Sequence, residues 1–222
     1  MAKRRQVAGF VGAVAAVLLL AWPADAAPAQ VIIIRHGEKP AVGSHLCPQG
    51  VCRADALATV FPRRFGTPAA IYAMKPGSEE GSMRAIETVT PLARALNLTI
   101  NTSYTRNQLQ PLVDDIMKNP AYQGQMVLIS WEHKVIPTLV QTFCTGGAAS
   151  GACDPVPGKW PGSVFDQAWI LDFSGVQVSS FKVIPEKIGP DVLNGNCPLA
   201  DVLPPNSPTP APEPCAWAAE GE

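Results

Sequence analysis

Val31-Ile32-Ile33-Ile34-Arg35-His36-Gly37-Glu38-Lys39 is the stretch that decides how this chain is read. Four consecutive branched aliphatic residues suit a strand buried on both faces, as in a parallel sheet covered by helices. The abrupt change to Arg35-His36-Gly37 marks the strand's carboxyl end, where open α/β sheets bind their ligands. A neutral imidazole there can attack as a nucleophile, and an adjacent guanidinium, permanently charged and planar, grips phosphoryl oxygens in pairs. Gly37 lets the backbone turn away while a ligand comes close.

Downstream, Met126 to Trp131 is a second buried strand, and it runs into Glu132-His133 as the first runs into Arg35-His36. Two of the chain's three histidines thus sit at strand ends. Parallel strands joined by helices put such ends on one rim of the sheet. Between them, Ala69 to Met74 and Leu98 to Ser103 read as strands. Helical spacing predicts helices over Arg53 to Phe61, stopped by Pro62; from Ser82 as N-cap, with Pro91 inside; over Leu109 to Met117; and over Val135 to Phe143. Arg84 falls in the first turn of the second of these, where the helix dipole disfavours a cation unless an anion binds beside it. Phe165 to Phe173 and Val176 to Ile184, around Ser174-Gly175, read as a hairpin at a sheet edge.

The chain has 222 residues and a net charge of -1, which gives no basic face for nucleic acid or a membrane surface. Residues 1–26 carry Lys3, Arg4 and Arg5, an apolar run from Val7 to Trp22 and then small residues, the pattern of a cleaved signal peptide. One domain is expected over residues 27–196, followed by a proline-rich tail at 197–222. The six cysteines suggest an oxidising compartment, periplasmic or extracellular, and fall into three sequence-local pairs: 47 with 52, 144 with 153, and 197 with 215. No C-x-x-C is present and only His45 lies close to a cysteine in sequence, so no cofactor or metal is expected.

In order and spacing, Arg35-His36-Gly37 after a hydrophobic strand, Ser82-Met83-Arg84-Ala85-Ile86-Glu87-Thr88 opening a helix, and Val127 to His133 before another helix resemble the histidine phosphatase superfamily. Leu46 to Ala56, with Gly50, Arg53 and Ala54, is similar to that family's first helix. The resemblance spans most of residues 31–143. It implies a phosphoglycerate-mutase-like fold, a three-layer α/β/α sandwich with a mostly parallel central sheet. It further implies an exported, metal-independent phosphoric monoester hydrolase acting on a small phosphate ester. His36 would become phosphohistidine, and Arg35, Arg84 and His133 would hold the transferred group's oxygens.

The general acid departs from the family pattern. Tyr104 to Gln108 offers no carboxylate of the mutase-like kind, and Lys134 stands where acid-phosphatase-like members carry an Asp. Glu132 is the first candidate and Glu38 the second, because leaving-group protonation needs an acid. Two other classes stay open: a non-catalytic phosphate- or phosphoester-binding protein that kept the pocket, and an interaction module built on the tail.

Overall fold

The computed structural model describes residues 27–78, 81–189 and 215. The expected signal segment, and the tail apart from Cys215, lie outside the described residues.

Ten elements follow in chain order: β1 (Gln30–Arg35), α1 (Pro48–Phe65), β2 (Ala70–Ala73), α2 (Arg84–Leu96), β3 (Ile100–Asn101), α3 (Leu109–Lys118), β4 (Met126–Trp131), α4 (Ile136–Thr145), β5 (Ala168–Ser174) and β6 (Gln177–Ile184). The six strands among the described residues form one sheet in the order β3-β2-β4-β1-β5-β6. β1, β2, β3 and β4 run parallel, while β5 and β6 add an antiparallel hairpin beside β1. The fold is therefore α/β with a mixed, mostly parallel sheet.

The layering follows from handedness. Crossovers from β1 through β2 to β3 move one way along the sheet, and the step from β3 to β4 reverses direction, so right-handed connections put their helices on opposite faces. Accordingly α1 packs against α2, and α3 against α4. β1 and β4 are sandwiched between these layers, which is why Val31, Ile32, Ile33, Val127, Leu128 and Ile129 are all fully buried. Covered on both faces, they have no polar side to alternate with.

Several boundaries differ from the sequence reading. Pro62 does not end α1, which continues to Phe65; a proline there forgoes one hydrogen bond, and Gly66 closes the helix by donating to the Pro62 carbonyl. Met83, not Ser82, occupies the capping position of α2, because the chain already has helical geometry at Met83, whose amide donates to the Ser44 carbonyl. β3 is only two residues long, as an edge strand with one neighbour can be.

The local cysteine pairing holds only for Cys144–Cys153. Cys47 bonds Cys215, 168 residues away, so neither the 47–52 nor the 197–215 pairing stands. Cys52 is disulfide-bonded as well. Neighbours in a helix explain the failure: Cys47 caps α1 and Cys52 lies in its second turn, so the helical backbone separates them, and each must look elsewhere.

Candidate active site

The site forms where β1 and β4 end side by side. In-register pairing sets Arg35 opposite Trp131, and the His36 amide extends the ladder by donating to the Trp131 carbonyl at 3.1 Å. Beyond that point the connections part: β1 leads to α1 on one face and β4 to α4 on the other. Such a divergence opens a crevice at the strand ends. His36 and His133 stand in it, both buried, with ring centroids 6.5 Å apart and planes nearly perpendicular.

His36 Nδ1 lies 2.7 Å from the Gly37 carbonyl. A carbonyl only accepts, so Nδ1 carries the hydrogen and Nε2 keeps its lone pair. Burial drives the His36 pKa down to about 3; electrostatic interaction with Arg35, Arg84 and His133 pushes the same way, and only the Gly37 contact opposes them. The ring is therefore neutral through the physiological range. Arg35, Arg84 and His133 thus each lie within electrostatic reach of His36.

Each cation is held by its surroundings. The Arg35 guanidinium lies over the Phe165 ring, 3.7 Å from its centroid, and Nη1 donates to the carbonyls of Gly162 and Val164 at 2.5 and 3.0 Å. Arg84 donates from Nε to the His45 carbonyl at 3.2 Å and from Nη2 to the Gly43 carbonyl, which ties the loop before α1 to the first turn of α2. Glu87, one turn on, accepts from the Leu46 amide at 2.8 Å and meets His45 Nδ1, securing the same loop. Thr88 couples the two halves: its hydroxyl accepts from the Gly37 amide at 2.8 Å and donates to the Arg84 carbonyl at 2.7 Å.

Both nominated carboxylates are occupied as acceptors. Glu132 Oε2 takes Nε and Nη2 of Arg106 at 3.0 and 2.9 Å. Its Oε1 takes the Lys134 amide at 3.2 Å and lies 3.3 Å from His133 Nδ1. Glu38 accepts three contacts from Arg53, from Nε to each oxygen at 3.1 and 3.0 Å and from Nη2 at 2.7 Å. The sequence alone offers Glu38 as a candidate acid in the pocket, and it does not reveal Arg53, Thr88 or Phe165 as partners. The signal for Arg53 was present, an arginine among Ala54, Leu57 and Phe61 on the buried side of α1, but its partner is visible only in three dimensions.

Among the described residues no group of three or more metal-ligating side chains occurs. No described helix is long and apolar enough to cross a membrane. The disulfides fit an oxidising location.

The site and sheet together define an α/β protein with two histidines and two arginines gathered at the carboxyl rim. Solved structures with a similar course of chain include a mycobacterial hydrolase, at 15% identity and a TM-score of 0.49 over 74% of this chain and 94% of that one. A mycobacterial glucosyl-3-phosphoglycerate phosphatase, solved with inorganic phosphate, matches at 15% identity and a TM-score of 0.47 over 70% of this chain and 95% of that one. A putative phosphohistidine phosphatase, SixA from Agrobacterium tumefaciens, matches at 17% identity and a TM-score of 0.44 over 71% and 96%. No protein-family model and no curated protein sequence matches the chain.

Proposed function

We propose that this chain is a histidine phosphatase, an exported phosphoric monoester hydrolase whose nucleophile is His36. The observation that carries the reading is the fixed tautomer: Nδ1 bonded to the Gly37 carbonyl leaves a neutral Nε2 in a crevice shared with His133 and within the fields of Arg35 and Arg84. Nε2 attacks phosphorus, the ester P–O bond breaks, and the leaving oxygen departs as its anion and takes a proton from solvent. Water then attacks the phosphohistidine, the N–P bond breaks, and phosphate departs while His36 regains its neutral form. Charge on the equatorial oxygens is met by Arg35, Arg84 and His133, so the chain's own side chains supply what a metal would otherwise provide. Removing one such preorganised donor costs on the order of 3 kcal/mol of barrier.

Glu132, the first candidate for the acid, is engaged as an acceptor. It accepts from Arg106 and stands 3.3 Å from His133 Nδ1, a carboxylate beside the histidine that faces the transferred group. With Glu38 and Glu132 both engaged, the site favours esters whose leaving group needs little help, aryl phosphates before alkyl ones. The same observation supports the second reading, a phosphate-binding protein without turnover.

One experiment separates them. The purified mature chain, in EDTA, is given an aryl phosphate between pH 4 and 8, and phosphoenzyme is trapped by base quench and then challenged with acid. Turnover with a base-stable, acid-labile phosphohistidine in wild type, lost by several orders of magnitude in a folded His36→Ala variant, supports the enzyme. Phosphate binding without turnover supports the second reading, and hydrolysis unchanged in His36→Ala refutes the mechanism.

A further inference from the structure

Behind the nucleophile lies a buried charge cluster that the reaction described above does not use. Arg53, on α1, is 5% exposed and Glu38 4%. Beyond its three contacts with Glu38, Arg53 donates from Nη1 to the Ile188 carbonyl at 3.2 Å, and the same nitrogen lies 3.7 Å from Asp166 Oδ1 and 3.9 Å from Glu186 Oε2. Asp166 Oδ1 in turn accepts from the Ile188 amide at 2.8 Å.

A buried ion pair is a poor way to add stability, because desolvating both charges offsets most of their attraction; its gain lies in fixing geometry. What this pair fixes is specific. Glu38 is two residues after His36, and its backbone is gripped from the same helix: its carbonyl accepts from the Cys47 amide at 3.0 Å, and Gly50 packs directly on it. Asp166, at the far side of the cluster, directly follows Phe165, the ring on which the Arg35 guanidinium rests. One guanidinium therefore spans the two segments that hold, respectively, the nucleophile and its neighbouring arginine.

We infer that Arg53 and Glu38 form a positioning unit that sets His36 relative to Arg35 for in-line attack. The inference rests on the phosphatase reading, but it is read out separately. A displacement of about 1 Å at a reacting group costs roughly 100-fold in rate. The geometry of a planar fork on a carboxylate is not one that lysine can reproduce.

The decisive variant is the apolar double replacement Arg53→Met with Glu38→Leu, which removes both charges of the pair; of the two carboxyls that lose the longer Nη1 contacts, Asp166 keeps the Ile188 amide and Glu186 is already pushed toward its neutral form by burial. It is compared with wild type and with Arg53→Lys by thermal unfolding, aryl phosphate kinetics, and affinity for phosphate and for vanadate, which takes up a trigonal-bipyramidal geometry at the nucleophile. The expected result is a double variant that melts near wild type, with kcat down about 10- to 100-fold. Phosphate affinity should change under threefold and vanadate affinity should fall by more than tenfold. Arg53→Lys should also lose kcat rather than gain KM. A double variant with kcat and vanadate affinity within twofold of wild type overturns the inference. So does one that fails to fold, or one whose phosphate and vanadate affinities fall together, since either makes the pair structural. If wild type binds both anions but never turns over, the enzyme reading fails while the ratio of the two affinities still tests the positioning.

Discussion

Gly50→Ala is the substitution for which the structure gives the sharpest expectation. A Cβ at Gly50 would lie 2.3 Å from the Glu38 carbonyl oxygen and 2.9 Å from the Glu38 nitrogen, both backbone atoms. An ordinary carbon–oxygen contact requires roughly 1 Å more, and overpacking of this kind typically costs about 1–3 kcal/mol, occasionally more. Neither side yields easily, since the Glu38 carbonyl is held by the Cys47 amide and its side chain by Arg53, both from the helix that carries Gly50. Gly50 lies in the first turn of α1, where alanine's better helix propensity returns at most about 1 kcal/mol. A net loss of about 2 kcal/mol corresponds to a fall in Tm of roughly 4–8 °C for a domain of this size. Gly37→Ala should be milder, because its Cβ would meet Gly50 at 3.0 Å, and Gly158→Ala should be silent, because nothing lies within 4 Å. Thermal and urea unfolding of the three variants against wild type provide the assay. The reasoning is refuted if Gly50→Ala melts with Gly158→Ala, or if Gly37→Ala is the worst of the three.

Other expectations concern pH and covalent structure. His36 stays neutral in the folded state down to about 3 whereas the unfolded chain binds a proton below 6.5, so this group's contribution to stability is lost as pH falls from 6.5 toward 3. By pH 5 the loss should reach roughly 2 kcal/mol, seen as a steeper decline in urea stability for wild type than for His36→Gln. Glu186 behaves oppositely: burial raises its carboxyl well above 4.5, only partly opposed by Arg53, so the folded state keeps a proton the unfolded chain gives up and stability declines as pH rises past 4.5. Glu186→Gln should therefore stabilise more at pH 8 than at pH 5, and an advantage equal at both values would contradict this. A non-reducing tryptic map should join the peptide containing Cys47 to the one containing Cys215, and recovery of the Cys47 peptide closed on itself would contradict the disulfide described here.

Features that depend on one segment's own chemistry were readable in advance. β4 was expected at its observed limits, because a run of buried aliphatics flanked by polar residues has few alternatives. Arg84 could be singled out because a cation in a first helical turn conflicts with the local dipole. What escaped was what depends on distant neighbours. Pro62 reads as a stop signal in any one-dimensional account, yet packing of Phe61 and Phe65, with centroids 4.9 Å apart, carries α1 past it. Cysteine proximity in sequence misled for the same reason, since a helix intervenes between Cys47 and Cys52. The partners of Glu38 and Glu132 lie 15 and 26 residues away, and no spacing rule connects them.

The register of β1 on β4 is the least legible feature and the one on which the site depends. Strands buried on both faces carry no alternation, so their aliphatic residues would tolerate a slip by one position, which would turn one strand's side chains to the other face. Polar contacts at the carboxyl end remove that freedom. The His36 amide is bonded to the Trp131 carbonyl, and the Trp131 indole donates to the Arg106 carbonyl at 3.2 Å. Arg106 then holds Glu132, whose other oxygen lies beside His133. The chain of contacts that places the second histidine is thus also what pins the strand carrying it against the strand carrying the first. Replacing the exposed Arg106 side chain would free Glu132 beside His133 while keeping the backbone carbonyl that accepts from Trp131, so the second histidine should loosen before the strand does.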